Sequence, residues 1–307
     1  MNWFLIALIA PVLWSTVNHI DKHLLSKHQE GRGVGAILIF SSLSSIVILP
    51  FIAFFYRSQI FSISFNDFLT LLFIGFLGAL AFYFYLKGME IEEASIVIPL
   101  FQFDPIFGYV LSYFILKESL VLPQILSALL ILLGILILSV EIDIENKFRF
   151  KKRVLSLIMI SSFFFALNGV LFKKLALADS FWISIFWQYV GITLFGIIIL
   201  LFFKKFRQDF MALIGAPRRL LALNAFSESM YIIGGVANNF ALLMAPVALV
   251  FVVNSYQSFF VFIIGVTLTK IFPQFITEKI TTRHFFHKLI SIIIILIGTY
   301  FLYSTSY

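Results

Sequence analysis

The stretch NKFRFKKR, residues 146–153, places five basic residues in eight positions between two long apolar halves. Five apolar segments precede it, at roughly 2–22, 34–56, 67–88, 94–116 and 121–140. Five follow, at roughly 154–173, 181–203, 219–240, 246–270 and 286–303. Each is about 20 residues long, the length a helix needs to cross a hydrocarbon layer. The period-two alternation of barrel strands is missing. The expected fold is all-α and polytopic, with ten transmembrane helices. An odd number of spans on each side of the basic stretch inserts the two halves in opposite senses. Residues 1–145 and 146–307 are therefore expected to be inverted five-helix repeats around a central cavity, within one membrane domain.

Composition agrees. The 307 residues are 61% apolar and 12% charged, where a soluble domain is about half apolar and about a quarter charged. The net charge of +7 does not read as a nucleic-acid surface, because the basic residues lie between apolar runs and form no continuous stripe. Eighteen of the 22 Lys and Arg fall at the connections after spans 1, 3, 5, 7 and 9; Arg57, Lys117, Lys173 and Lys174 are on the other side. The positive-inside rule then places both termini outside the cytoplasm of a cell (inner or plasma) membrane. With no cysteine, disulfide, thiolate and Cys-metal chemistry are excluded. The N-terminal MNWFLIALIAPVLW lacks a basic n-region and reads as a retained first helix, not a cleaved signal.

Weak internal similarity supports a duplication. WSTVNHIDK (14–22) lies on FALNGVLFK (165–173), and EASIVIPLFQFDPIF (93–107) on APVALVFVVNSYQSF (245–259), at offsets of 151 and 152. Inverted repeats of this kind are a recurrent design of secondary transporters, with the site near the bilayer midplane.

The segment AFYFYLKGMEIEEASIVIPLFQFDPIFGYVLSYFILKESLVLPQILSALLILLGILILS (81–139) carries an aromatic-rich helix, Ala94–Ser95 after it, Pro99 and Pro105 in the next span, then Glu118 and Gly134. With LWSTVNHIDK ending at Lys22, this resembles the drug/metabolite transporter superfamily, specifically the EamA-type ten-helix transporters. The second half departs from the pattern, with Lys270 where the first has Glu118. The resemblance implies alternating access through a cavity lined by spans 1, 3, 4, 6, 8 and 9, and a solute that is a small metabolite or drug-like compound.

Ionisable side chains in a span face protein or water. In NAFSESMYIIGGVANN (224–239), Asn224, Glu228, Tyr231, Gly235, Asn238 and Asn239 fall within about 60° of one direction on a helix. Such a stripe lines a cavity, or Glu228 is a structural partner of Lys87, Lys173 or His19; the stripe's length favours the cavity. Asp104 and Gln102 in span 4 are separated by about 200° on a regular helix, so both face a cavity only if Pro99 and Pro105 distort the segment. Asn254 and Gln257 share a face of span 9 with Ser258, and Trp14 and Asn18 share a stripe of span 1 with Pro11 and Asp21. Asn168 and Gln188 add polar groups in spans 6 and 7, and Tyr83 and Tyr85 are candidate apolar walls. If Glu228 and Asp104 share a cavity, one carboxyl alternately holding a proton or supporting substrate suits proton-coupled export.

Enzymatic readings are weaker. HIDKH (19–23) has His at i and i+4 but Ile where a zinc protease has Glu, and HFFH (284–287) sits at a helix entrance. GRGVG (31–35) is a glycine turn, and neither a P-loop nor a G-x-S-x-G elbow occurs. No cofactor or metal is expected. The expected partners are a small-molecule substrate, the lipid bilayer and protons, with the chain a monomer or homodimer. A lipid or lipid-carrier flippase of the same fold is the alternative, and a membrane-embedded transferase a more distant one. Gly75, Gly78, Gly134 and Gly265 read as close-packing positions, and Lys117–Glu118 as an interfacial pair.

Overall fold

A computed structural model of the protein describes residues 2–27, 33–92, 94–139, 152–178, 180–271 and 282–305. The basic stretch up to Lys151 and the connection 272–281 lie outside these, as do the side chains of Ser95, Lys270 and the HFFH histidines. Among the described residues the chain is helical, with no strand. The first half runs α1 (Trp3–Lys27), α2 (Gly33–Ser44), a 3-10 turn, α3 (Leu49–Tyr56), α4 (Phe65–Ile91), α5 (Ala94–Val97), a 3-10 segment (Ile98–Gln102), α6 (Phe103–Leu116) and α7 (Leu122–Ser139). The second runs α8 (Lys152–Ala178), α9 (Phe181–Phe202), α10 (Lys204–Ile214), α11 (Arg218–Met244), α12 (Val247–Asn254), α13 (Gln257–Ile271) and α14 (Thr282–Thr305).

Eight helical segments among the described residues are long and apolar enough to cross a membrane. Two shorter apolar helices, Leu122–Ile137 and Ile290–Leu302, stand where the fifth and tenth spans are expected. The protein is a multi-pass membrane protein, and its outer surface fits lipid: Phe54, Phe61, Phe202 and Tyr300 are among the large apolar side chains turned outward.

Local chemistry explains the ends. Ser64 caps α4 by accepting from the Asp67 backbone N–H at 3.1 Å, with the Asp67 carboxylate in the first turn where the helix dipole favours it. Pro217 and Pro246 precede α11 and α12, whose first N–H groups need no intrahelical acceptor. The helix α6 ends on Lys117 in the left-handed region (φ 60°), with the Glu118 N–H returning to the Ser112 carbonyl at 3.2 Å. A non-glycine residue there is strained. Lys117→Gly is expected to raise stability by about 1 kcal/mol, read as a higher melting temperature of the detergent-solubilised protein.

Besides span 2, which turns through the 3-10 turn Ser45–Ile48, two spans are broken part-way along their length. Span 4 passes from α5 through the 3-10 segment into α6 at Phe103, because Pro99 and Pro105 remove backbone donors from the α pattern. Span 9 breaks at Ser255–Tyr256, between α12 and α13, with neither proline nor glycine there. An unbroken span over 246–270 is what the hydropathy alone predicts. The Ser255 N–H is shared between the Phe251 and Val252 carbonyls, and its hydroxyl donates to Phe251 at 3.2 Å, so the turn tightens by back-bonding.

In the packed bundle α1 lies along α11, α4 along α8, α7 along α14, α2 along α9 and α6 along α12. The α7–α14 contact is close because Gly134 faces Ser291 and Ile295, while Gly298 faces Ser127 and Ile131.

Candidate functional site

The broken spans meet α1, α2, α4, α8, α9 and α11 around a cavity of about 170 Å³. That is room for several waters or a compact solute. Nine of the eleven residues expected at the site line it: Trp14, Asn18, Gln102, Asp104, Tyr231, Asn238, Asn239, Asn254 and Gln257. Gln102 and Asp104 both face it because the chain is not one regular helix at the 3-10 to α junction. Spans 2 and 7 also contribute, through Ser41, Ser42, Gln188, Tyr189 and Ile192, beyond the six spans the resemblance implied.

Glu228 and Asn224 are not among the lining residues. Glu228 is buried, and its Oε2 accepts from the Ser41 hydroxyl at 2.7 Å. Ser41 itself lines the cavity, so Glu228 stands one side chain behind the wall. Its partner is a serine of α2, not Lys87, Lys173 or His19. Lys87 pairs with Glu90 at 2.8 Å, Lys173 with Glu118 at 2.5 Å, and His19 Nε2 is 2.9 Å from the Val261 carbonyl. Asn224 and Ser227 are fully buried on the same side of α11, and their side-chain polar atoms have no hydrogen-bond partner among the described residues.

An amide relay forms one side of the site. Asn239 Nδ2 donates to Gln188 Oε1 (2.9 Å), Gln188 Nε2 to Asn168 Oδ1 (3.3 Å), and Asn168 Nδ2 to the Ile74 carbonyl (2.6 Å). It ties α11 to α9, α8 and α4. Beside it on α11, Asn238 Oδ1 accepts from Asn254 Nδ2 at 2.8 Å, which fixes the broken end of α12 on α11. Within the relay each amide finds a partner, which offsets the cost of burying it.

A chain of aromatic rings forms another side. Trp14 contacts Tyr231 (centroids 6.2 Å apart), Tyr231 contacts Phe82 (5.3 Å), Phe82 stacks on Tyr85 (5.5 Å), and Phe101 bridges Tyr85 (6.0 Å) to Phe165 (6.1 Å). Trp14 also donates to the Tyr231 carbonyl at 3.3 Å and lies flat on Gly234, where any Cβ would strike its indole nitrogen. Tyr83 is not part of this wall; it packs on Phe206.

Tyr85, expected as an apolar wall, lines the cavity, and so does Asp21, which was outside the eleven expected residues. The Tyr85 hydroxyl is 2.9 Å from Asn18 Oδ1 and 3.2 Å from Asp21 Oδ2, while Asp21 Oδ1 has no partner among the described residues. One phenolic proton faces two acceptors. Either it goes to Asp21, or it goes to Asn18 and a protonated Asp21 donates to the phenol oxygen. The signal for Asp21 was its place on the Trp14–Asn18 stripe; its position beside Lys22 at the end of an apolar run hid it.

The first half of the chain can be compared with known proteins. Residues 1–140 match the EamA-like transporter family. The match spans α1–α7 of the bundle and is consistent with the drug/metabolite transporter superfamily. An EamA-like match points to a membrane transporter and away from catalysis. An uncharacterized protein of Methanocaldococcus jannaschii is 42% identical over 66 residues, 21% of this chain and 45% of that relative. A solved crystal structure superposes with a TM-score of 0.69 over 97% of this chain and 95% of its own, at 14% identity, a likeness of fold alone.

Proposed function

We propose that the chain is a secondary transporter that carries a small organic solute through a cell membrane by alternating access. In this reading ten spans form two inverted repeats, 1–145 and 146–307, with both termini outside. The observation that carries it is a cavity with polar side chains set in an apolar wall, seated where spans 4 and 9 are both interrupted, at Gln102–Phe103 and Ser255–Tyr256. Half-helices meeting at a cavity are the arrangement by which transporters expose polar groups inside a bilayer.

The packing supports the repeat. Exchanging the halves turns the α1–α11 pairing into α8–α4, maps α7–α14 and α2–α9 onto themselves, and turns α6–α12 into the contact of α13 with α5 and the 3-10 segment. Lys22 donates to the Glu92 carbonyl just past α4 at 3.0 Å, and Lys173 to the Ala245 carbonyl just past α11 at 2.7 Å. A cavity enclosed within one chain lets a monomer suffice. Counterflow in proteoliposomes tests the reading: external label should accumulate when the lumen holds unlabelled solute. A flux that does not respond to solute on the far side would indicate a channel, and covalent change of the label an enzyme.

Proton coupling is part of the proposal, with Glu228 as a coupling carboxyl behind Ser41. Glu228 faces Ser41 on α2 and, among titratable groups, Asp21 on α1 and Tyr231 on its own helix. Glu228→Gln keeps an acceptor for the Ser41 hydroxyl, so the melting temperature should move by no more than a few degrees. Uptake driven by a pH gradient should fall to the level seen without one, while counterflow persists. A variant that still follows the gradient would show that Glu228 only braces α2 against α11.

A further inference from the structure

We infer that the cavity is built for an organic ammonium ion carrying an aromatic or apolar body and no carboxylate, anchored at Asp21. The inference rests on the transport reading and adds the chemical class of the solute. Its first ground is the charge of the wall. Asp21 and Asp104 line the cavity, Glu228 stands behind Ser41, and no Lys, Arg or His is among the lining residues. An anion placed there would meet carboxylates and no counter-charge, and burial of an unpaired charge is strongly disfavoured.

The second ground is the set of unfilled hydrogen-bond positions. Asp21 Oδ1, Asp104 Oδ1, Gln102 Oε1 and Asn254 Oδ1 are buried acceptors with no partner among the described residues, and Asp21 and Gln102 are more than nine-tenths buried. Among the lining residues, Asn18 Nδ2, Gln102 Nε2 and the Ser258 hydroxyl are the unfilled groups able to donate. The surplus of acceptors calls for a ligand rich in N–H, which an ammonium supplies. The third ground is the ring chain from Trp14 to Phe165, whose faces attract a cation and whose area holds an apolar body.

The same wall disfavours a zwitterion. Its carboxylate would meet Asp21 and Asp104, with no Lys, Arg or His among the lining residues to pair with it.

The test uses two matched sets on purified full-length protein at neutral pH: phenethylamine, phenethyl alcohol, 3-phenylpropanoate and phenylalanine, then tryptamine, tryptophol, indole-3-propanoate and tryptophan. Equilibrium binding is measured calorimetrically. The amine of each set should bind at least about tenfold tighter than its alcohol, and the acid and amino acid more weakly than either, as a charge-assisted hydrogen bond implies. Asp21→Asn should bring amine and alcohol to similar affinity while the alcohol still binds, a result that a misfolded protein could not give. Alcohol binding equal to amine, amino acid binding tighter than amine, or no binding of any member to folded wild-type protein overturns the inference. If Asp104→Asn removes the preference and Asp21→Asn does not, Asp21 is not the anchor. Counterflow with the neutral members alone would retain the transport reading and discard the cation. Amine binding without counterflow would do the reverse.

Discussion

Replacing Lys173 with Met is expected to destabilise the protein by about 3–5 kcal/mol, the cost of leaving one member of a buried ion pair without its partner. Lys173 sits near the end of α8 with its side chain 8% exposed, and Glu118, in the turn after α6, has its side chain 16% exposed. These exposures separate the pair from surface bridges, which contribute about 0–1 kcal/mol. The pair also holds backbone. Lys173 donates to the Ala245 carbonyl at 2.7 Å, and Glu118 Oε2 accepts from the Val247 N–H at 2.9 Å, one of the orphan donors at the start of α12. One ion pair therefore fastens α8, the α6–α7 connection and the α11–α12 junction. Glu118→Gln should cost a similar amount, and the double variant less than the sum of the two, since removing both charges leaves none unpaired. Equilibrium unfolding in mixed detergent measures all three. A single-variant loss of about 1 kcal/mol or less would mean that water reaches the pair.

The same pair shows what could be read from sequence. Glu118 was assigned to its neighbour Lys117, because a charge at a span end suggests a local partner; its true partner is 55 residues away. Hydropathy is a local property, so the apolar spans and the basic connections were legible. The polar face of α11 was also legible, because a period of 3.6 residues is written along one helix. Depth was not. Periodicity groups Asn224 and Glu228 with Tyr231, Asn238 and Asn239, yet only the last three reach the cavity, while Glu228 meets α2 at Ser41.

Prolines announced the break in span 4, which let Gln102 and Asp104 be read together. Span 9 breaks at Ser255 without such a signal, and its polar residues were found by spacing alone. The repeat helps here in physical terms. The interruption of one half at Gln102 lies 152 positions before that of the other at Asn254, the offset by which the two segments were aligned.

Gly75→Ala and Gly191→Ala should each cost about 3 kcal/mol or more, at or beyond the upper end of ordinary overpacking. A Cβ at Gly75 would fall on the Gln188 carbonyl, and lie 2.7 Å from the Ile192 nitrogen and 2.8 Å from the Gly191 carbonyl carbon. A Cβ at Gly191 would fall on the Leu72 carbonyl, with the Leu72 Cα 3.0 Å away. Both obstacles are backbone, so no rotamer change relieves them, and α4 must separate from α9. That separation carries Gln188 away from Asn168 and weakens the relay from Asn239 to the Ile74 carbonyl. Loss of stability should therefore come with loss of solute binding, even though neither glycine bears a side chain. Gly215→Ala provides the contrast, since a Cβ there meets nothing nearer than the Met211 carbonyl at 3.6 Å. Thermal melts followed by tryptophan fluorescence, with binding measured on the same samples, compare the three. If Gly75→Ala melts with the wild type, α4 and α9 slide past each other at little cost, and their crossing does not hold the cavity in place.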